Sequence, residues 1–225
     1  PLDADESERL ADALLERAEV PPAQRALLLD RAEGNPLFLE EIARMLRENE
    51  ELDRIPDSVQ AMIAARIDRL QPGEKRVLQS AALIGRVFWR GALDRLVPDL
   101  DVDTLLDGLL DHEFVVPEER STISGDRAFR FKHVLIRDVA YSGMSKALRA
   151  AEHQAFAQWV DERARDELAG IRAYHLDHAA QLLVELDGGI PDELAHEAAS
   201  ALEESGRRAL QRGSFVSARR TLLRA

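Results

Sequence analysis

Two short stretches of this sequence hold the side chains best suited to chemistry, and in both the chemistry is anion binding. The first stretch is Gly34, Asn35 and Pro36. Glycine often ends a helix, asparagine is a preferred helix cap, and proline is a preferred first residue of the next helix. A helix that begins at Pro36 would present free backbone amides and the positive end of its dipole, which suit a nucleotide phosphate.

The second stretch surrounds His133, which follows a β-prone run and precedes a helical one. Three cations lie close to it in sequence: Arg130, Lys132 and Arg137. An imidazole set among cations at the start of a helix could sense the charge of a phosphate. A histidine of this kind is more often a hydrogen-bonded structural residue, so the pattern alone indicates only a candidate.

The other histidines and the missing motifs predict less. His175 and His178 lie three residues apart on a predicted helix, but no third ligand has a spacing suited to a metal. His153 and His196 are interpreted as packing or surface residues. The sequence has no Gly-x-x-x-x-Gly-Lys-Ser/Thr loop, no Gly-x-Ser-x-Gly elbow and no cysteine. We therefore predict no catalysis and no metal site for this chain alone.

Helical periodicity dominates the first elements that must position these residues. Apolar stripes predict four short helices, at residues 6–18, at 23–32, from 36 onward and after Pro56. Gly34 would end the second helix, and Asn35 and Pro36 would start the third. Short helices with brief connections predict a helical bundle over residues 1–70. The acidic run at 48–53 is interpreted as a solvated face.

Residues 71–147 differ from the first segment because they combine helical segments with β-prone runs. Helices are predicted at 74–84, 90–96 and 102–112, and short β-prone runs follow at 114–116 and 128–131. Three helices followed by a two-stranded hairpin is the order of a winged helix. Two strands this short are not stable alone and must pack on the helices. His133 would then lie just after the second strand.

Alanine-rich helices are predicted for the remainder, at about 148–168, 170–186, 191–211 and 214–225. Small residues such as Ala198 and Ala209 would let these helices approach closely, as at the beginning of a stacked helix-pair array over residues 148–225. The predicted fold class is mainly α. It comprises a small helical bundle, a winged helix with a two-stranded β-hairpin, and antiparallel helix pairs of TPR-like type.

Composition limits the setting of the protein. The chain is 45% hydrophobic and 32% charged, and its net charge is −12. It has no cysteine and no apolar run of the length that crosses a bilayer, which predicts a soluble protein of a reducing cytoplasm. The chain begins at Pro1 and ends inside a predicted helix, so we expect it to be cut from a longer protein.

Three stretches together resemble one family. They are residues 31–41 (RAEGNPLFLEE), residues 55–59 (IPDSV) leading to 65–70 (ARIDRL) and 77–85 (VLQSAALIG), and residues 129–141 (FRFKHVLIRDVAY). In this order they resemble the region after the P-loop core in bacterial STAND ATPases. Such regions occur in large LuxR-type regulators and in class III adenylate/guanylate cyclases that carry an AAA-like ATPase and TPR repeats. The sequence of residues 136–141, together with Tyr174-His-Leu176 further along the chain, is more similar to the cyclase-linked group than to the LuxR-type group.

The resemblance implies a role for both candidate stretches. In STAND proteins a Gly-x-Pro turn opens a lid helix whose proline packs by the adenine, and Gly34, Asn35 and Pro36 match that turn. The histidine that approaches the ADP phosphates in the closed state matches His133, with Lys132 and Arg137 beside it. The implied cofactor is ADP or ATP, held together with a P-loop core that this chain lacks. The implied partners are that core, an output domain, and a protein or small-molecule inducer on the helical array.

The third helix of the predicted winged helix bears on DNA binding. Residues 102–112 contain Asp103, Asp107 and Asp111 but no lysine or arginine. Phosphate contacts need cations, so we predict no direct DNA binding by this helix and no membrane partner. Two alternatives to a cyclase-linked protein stay open: the same region of a LuxR-type transcriptional regulator, and a protein-interaction scaffold that has lost nucleotide binding.

Overall fold

Helices make up most of the structure. The structure is a computed structural model, and it describes residues 2–15, 20–47 and 58–225. The chain divides into two compact units, Pro1–Arg69 and Leu70–Ala225. The prediction of a mainly α fold with helix pairs is confirmed. The predicted end of the first helix at residue 18, the acidic run at 48–53 and the motif residues 55–57 lie outside the described residues.

The first unit contains four described helices around an apolar core. They are α1 (Ala4–Leu15), α2 (Pro22–Ala32), α3 (Pro36–Arg47) and α4 (Val59–Arg69). Helix α3 packs against the other three helices. Its apolar face fits that position, and the fully buried large side chains of this unit are Leu28, Leu39, Ile42 and Ile63. Asp3 and Glu6 start α1 by each accepting a hydrogen bond from the other's backbone amide.

A buried ion pair joins α3 to α4. Glu41 is 6% exposed and Arg66 is 9% exposed at the side chain. Nη1 of Arg66 donates to both carboxylate oxygens of Glu41, at 2.8 and 2.9 Å. Arg44 forms a second ion pair with the same carboxylate from within α3. Because a buried carboxylate is stable only when it is paired, these contacts fix how α4 lies on α3.

The second unit opens with three helices interleaved with three strands. These elements are α5 (Pro72–Ile84), β1 (Val87–Trp89), α6 (Arg90–Leu96), α7 (Val102–Asp111), β2 (Val115–Glu118) and β3 (Ala128–Phe131). The sheet is antiparallel in the order β1-β3-β2. The predicted two-stranded hairpin was therefore wrong by one strand. Strand β1 has only three residues and directly precedes a helix, so it is too short to show the alternation of apolar and polar residues that marks a strand. Only its pairing with β3 defines it.

Aromatic packing holds the central strand in place. Phe88 of β1 lies opposite Phe129 of β3, with the ring centroids 5.8 Å apart. Phe88 also packs on Phe131, at 5.5 Å between centroids. Such pairs stabilise neighbouring strands. Strand β3 is thus fixed on both edges, and the chain leaves it directly into Lys132 and His133.

Five helices complete the second unit. They are α8 (Val134–Ser142), α9 (Lys146–Arg163), α10 (Ala169–Asp187), α11 (Asp192–Gln211) and α12 (Phe215–Leu222). Helix α9 begins earlier than predicted because Ser145 caps it, accepting a hydrogen bond from the amide of Leu148 at 3.2 Å. It also ends earlier, at Arg163 rather than near 168, and α12 ends at Leu222 rather than 225.

Helix α10 lies between α9 and α11, and α11 packs on α12. The core of this stack consists largely of small side chains: Ala157, Ala173, Leu176, Ala179, Leu194, Ala198, Ala201 and Leu202. Helix α9 also packs on the preceding elements, with the rings of Trp89 and Trp159 at 6.0 Å. The predicted boundary between 147 and 148 thus falls inside this unit. None of the helices in the described residues combines the length and the apolar composition that a bilayer crossing needs.

Candidate functional site

The turn before α3 has a conformation that demands glycine. Glu33 and Gly34 both have positive φ, at 46° and 73°. The carbonyl of Gly34 accepts a hydrogen bond from the amide of Leu2 at 2.7 Å. A methyl group on Gly34 would collide with the carbonyl oxygen of Leu2. Both the left-handed backbone and the close approach of another chain segment therefore explain glycine at this position.

Helix α3 begins at Pro36 as predicted, but its first amides are not free. The side-chain oxygen of Asn35 accepts hydrogen bonds from the amides of Leu37 at 3.1 Å and Phe38 at 3.4 Å. Proline has no amide hydrogen to offer. The expectation that this helix start presents free amides to a phosphate was wrong, because the cap that starts the helix already uses them. Pro36 itself is exposed.

A cleft of about 460 Å³ borders Asn35. Its charged lining residues are Asp30, Arg31 and Glu33, so the lining carries more negative than positive charge. A phosphate would be repelled there, whereas an apolar or aromatic group would not.

His133 caps helix α8 from an extended conformation, with φ −131° and ψ 143°. Its carbonyl accepts a hydrogen bond from the amide of Ile136 at 3.1 Å. No side chain in the described part of the chain caps α8, so the amides of its first turn, at Val134 and Leu135, keep their capacity to bind an anion. The first turn of α8 thus differs from that of α3, whose amides are occupied by the side chain of Asn35.

Two of the three cations in the His133 stretch, Lys132 and Arg137, are already engaged within the protein. Nζ of Lys132 lies 3.2 Å from a carboxylate oxygen of Glu113. Nε of Arg137 donates to the carbonyl of Ala82 at 2.9 Å, and its Nη1 lies 3.0 Å from Asp138. The guanidinium of Arg137 also lies 5.3 Å from the ring centroid of Tyr141. These contacts tie α8 to the end of α5 and hold Arg137 in one orientation.

The candidate residues belong to different units of the fold. Gly34, Asn35 and Pro36 are part of the first unit, and Lys132, His133 and Arg137 are part of the second. Within the second unit, Lys132 and His133 lead into α8, whereas Arg137 lines a cavity beside Tyr174 and His175. Each of the two stretches is assembled locally, by a turn and by the helix that follows it.

A buried network of histidines was missed by the sequence reasoning. The Nδ1 atoms of His153 on α9 and His175 on α10 lie 2.7 Å apart, and Nε2 of His153 lies 3.1 Å from the hydroxyl of Tyr141 on α8. His175 also forms a hydrogen bond to the backbone of Ile84. Both rings are 1% exposed. The interpretation of His153 as an ordinary packing or surface residue was therefore incomplete.

One assignment of protons satisfies this network with both rings neutral. The hydroxyl of Tyr141 donates to Nε2 of His153, whose Nδ1–H donates to Nδ1 of His175, whose other nitrogen donates to the carbonyl of Ile84. Burial lowers the pKa of His153 to about 3, with the charges of His178, Arg149 and Arg137 acting in the same direction. Burial likewise lowers the pKa of His175 well below its ordinary value. The chain of hydrogen bonds depends on uncharged rings.

His178 lies at the edge of the network and outside it. Its Nδ1 lies 3.0 Å from the carbonyl of Tyr174 in its own helix, and its ring packs on that of Tyr174 at 3.9 Å. Among the described residues, no group of three or more histidines, cysteines or acids has an arrangement that could hold a metal ion. The spacing of His175 and His178 gave no indication that His175 bonds instead to a residue on a neighbouring helix.

No protein-family model matches this chain. Among curated proteins, an uncharacterized protein of Rhizobium meliloti (strain 1021) is similar to it, with 27% identity over 251 aligned residues that cover 99% of the chain. The chain spans 22% of the length of that relative. Its printed name gives no function, so the similarity supports no activity by itself.

Proposed function

We propose that this chain is a non-catalytic regulatory part of a STAND-type ATPase signalling protein of the bacterial cytoplasm. In that protein it couples the ADP or ATP state of a P-loop core to a sensor array and an output domain. The output domain would be a class III adenylate/guanylate cyclase. The proposal rests on a resemblance to STAND proteins in three stretches, in this order: residues 31–41, then 55–59 with 65–70 and 77–85, then 129–141.

One observation supports the proposal most. At both stretches that the resemblance selects, a helix starts at the matching residue: α3 at the exposed Pro36, and α8 after its cap His133. The first turn of α8 has no side-chain cap within the described residues, which suits a phosphate group. The relative from Rhizobium meliloti, of which the chain spans 22%, is consistent with this region being part of a long multidomain protein.

In the proposed mechanism, two separate parts of the chain each contact a different part of the nucleotide. Pro36 offers an apolar surface to the adenine, and His133 with the first amides of α8 binds the phosphates of ADP. ADP bound through these contacts favours a closed state of the longer protein. Exchange for ATP shifts the equilibrium only if the closed and open states differ in their affinity for the two nucleotides. Lys132 and Arg137 act by positioning, because each is held by another group of the protein.

The test is ADP affinity in the longer protein that includes the P-loop core. We expect His133→Ala to weaken ADP binding about tenfold or more, because a hydrogen bond to a charged phosphate is worth about 1.5–3 kcal/mol. Calorimetric titration measures the affinity, and the activity of the output domain measures the switch. His196→Ala is the matched control, because His196 is exposed and its ring bonds only to the backbone of its own helix, at Asp192.

Unchanged ADP affinity together with unchanged output in His133→Ala would refute the assigned role of His133. Loss of affinity in both alanine variants would indicate a general loss of structure instead of a phosphate contact. If the longer protein carries a C-terminal helix-turn-helix in place of a cyclase domain, the LuxR-type alternative replaces the cyclase-linked one. If its upstream sequence lacks the P-loop lysine, the scaffold alternative replaces both.

A further inference from the structure

A second candidate site of the second unit lies at the first turn of α8, next to the cap of that helix. A cavity of about 360 Å³ lies where the end of α5, the start of β1 and the first turns of α8 and α10 converge. Nine residues line it: Ile84, Gly85, Arg86, Val134, Arg137, Gly170, Ile171, Tyr174 and His175. A volume at the lower end of the range for ligand pockets fits a small molecule.

The charge of this cavity is positive. None of its nine described lining residues is acidic, and its two fully charged side chains are both arginines. This lining is positive although the chain as a whole carries a net charge of −12. Two guanidinium groups in one cavity repel each other unless an anion lies between them.

The two arginines differ in what they leave available. The side chain of Arg86 is exposed and has no hydrogen-bond or ion-pair partner in the part of the chain that the structure describes. Arg137 is fixed by the carbonyl of Ala82 and by Asp138, which is half exposed, and it also interacts with the hydroxyl of Tyr174. Arg86 thus offers an unused fork of donors, and Arg137 offers a positioned charge.

The start of α10 adds a donor to the same cavity. Helix α10 begins at Ala169, and its cap residue Leu168 has no side chain that could accept the first amides. Gly170 and Ile171, in that first turn, line the cavity. The amide of Ile171 donates to the carbonyl of Leu168 at 2.9 Å, so the donor that this turn offers is the amide of Gly170. The positive end of a long helix therefore faces the same space as the two arginines.

The other walls of the cavity are apolar. Ile84 and Ile171 contribute aliphatic surface, and the rim includes Val134, which is 57% exposed, and the ring of Tyr174. Exposed aliphatic and aromatic surface beside an unpaired cation suits a ligand that carries both an acid group and an apolar body. A single free guanidinium matches a carboxylate, which an arginine fork can bind through two hydrogen bonds.

We infer that this cavity binds a small organic carboxylate, with its acid group on Arg86 and the first turn of α10 and its apolar body against Val134, Ile171 and Tyr174. Arg137 and the hydroxyl of Tyr174 complete the polar side. The site adjoins the proposed nucleotide contacts at Val134 and Arg137, whereas Arg86 and α10 belong to this site alone. This chain alone is sufficient to test it.

The test is a titration of the ¹⁵N-labelled chain with benzoate, followed by amide resonances. We expect saturable shifts of the amides of Gly85, Gly170 and Ile171, with a dissociation constant in the millimolar range or below. Benzamide, which has the same shape without the charge, and inorganic phosphate, which has charge without an apolar body, should both bind at least several-fold more weakly.

Two variants locate the site without disturbing the fold. Arg86→Gln should weaken benzoate binding about tenfold, because it removes the free charged donor. Val134→Asp places a carboxylate on the exposed rim and should abolish binding, while an acid in the first turn of α8 favours the helix. Arg120→Gln, at an exposed arginine in the loop after β2, is the matched control and should leave the affinity within about twofold.

Three results would each overturn the inference. One is the absence of saturable shifts at these amides. Another is equal binding of benzoate to the wild type and to Arg86→Gln, or equal weakening by Arg86→Gln and Arg120→Gln, which would indicate a non-specific charge effect. The third is binding of benzamide or inorganic phosphate as tight as that of benzoate. None of these results bears on ADP affinity in the longer protein, so the two proposals fail independently.

Discussion

His153 and His175 share a hydrogen bond between like nitrogens, and this contact fixes the charge of both rings. With Nδ1 atoms 2.7 Å apart, one ring must donate and the other must accept. Protonation of the acceptor would set two N–H groups against each other inside the protein. Because each ring is also buried, protonation would place a charge where water cannot solvate it.

We predict that the second unit loses stability as the pH falls below about 6.5. Both histidine pKa values are lowered in the folded state, that of His153 to about 3, whereas unfolded histidines titrate near 6.5. Below 6.5 the unfolded chain therefore binds more protons than the folded chain. The free energy of unfolding should fall by up to about 1.4 kcal/mol per pH unit for each ring, and it should be unaffected by these rings above pH 7.5.

Urea unfolding at pH 7.5, 6.5 and 5.5 measures this dependence. Fluorescence reports the second unit alone, because both tryptophans, Trp89 and Trp159, lie in it. His153→Gln should roughly halve the slope, whereas His196→Gln, at an exposed histidine, should leave it unchanged. A wild-type stability that is flat between pH 7.5 and 5.5 would contradict the assignment of two neutral buried rings.

The packing of α4 on α3 depends on one charge pair, Arg66 and Glu41. We predict that Arg66→Met lowers the free energy of unfolding of the first unit by about 3 kcal/mol, because it leaves Glu41 buried with Arg44 as its remaining cation. Hydrogen exchange of the α3 amides is the suitable measurement, since every tryptophan and tyrosine of the chain lies in the second unit.

The exposed ion pair of Arg25 with Asp12 provides the control. Arg25→Met breaks a pair that water and salt already screen, so its effect should stay below about 1 kcal/mol. The double variant with Glu41→Met and Arg66→Met should recover much of the loss, because it also removes the buried carboxylate of Glu41. Equal effects of Arg66→Met and Arg25→Met would show that the buried pair has no special weight.

Most helix starts could be predicted from sequence, and the shortest strand could not. Asn35 starts α3 by accepting hydrogen bonds from the amides two and three positions away, and Pro36 is the first residue of the helix. The neighbouring residues were therefore sufficient to predict this start. Strand β1 has only three residues, and its partner β3 lies about forty positions further along the chain. A pairing over that distance leaves no local pattern.

For the molecule as a whole, negative charge limits the possible partners. The chain carries a net charge of −12, and α7, the helix that would read DNA in a winged helix, has exposed Asp107 and Asp111. Asp103 in its first turn is already paired with Arg90 and Arg127. DNA affinity depends mainly on cations that contact phosphate, and this face offers acids.

We predict that the chain does not bind duplex DNA at about 150 mM salt. Fluorescence anisotropy of a labelled duplex measures this directly. A variant with Asp107→Lys and Asp111→Lys should gain weak, salt-dependent affinity, because it places cations on the face of α7 that would meet the groove. Micromolar binding by the wild type, weakened by added salt, would contradict the prediction and would favour a direct role in transcription.

The sequence by itself determined the features that depend on near neighbours. It specified a mainly α chain, the starts of α3 and α8, the end of α2 before Gly34 and the acidic face of α7. Helix caps, turns and amphipathic stripes involve residues within a few positions of one another, so the local sequence is sufficient to predict them.

Only the tertiary structure decided which distant side chains meet. It joined His153 to His175 across 22 positions and Arg66 to Glu41 across 25, and it brought Arg86 to the same cavity as Gly170. The physical reason is that burial and pairing, which set the charge of a group and its availability to a ligand, depend on helix packing in three dimensions.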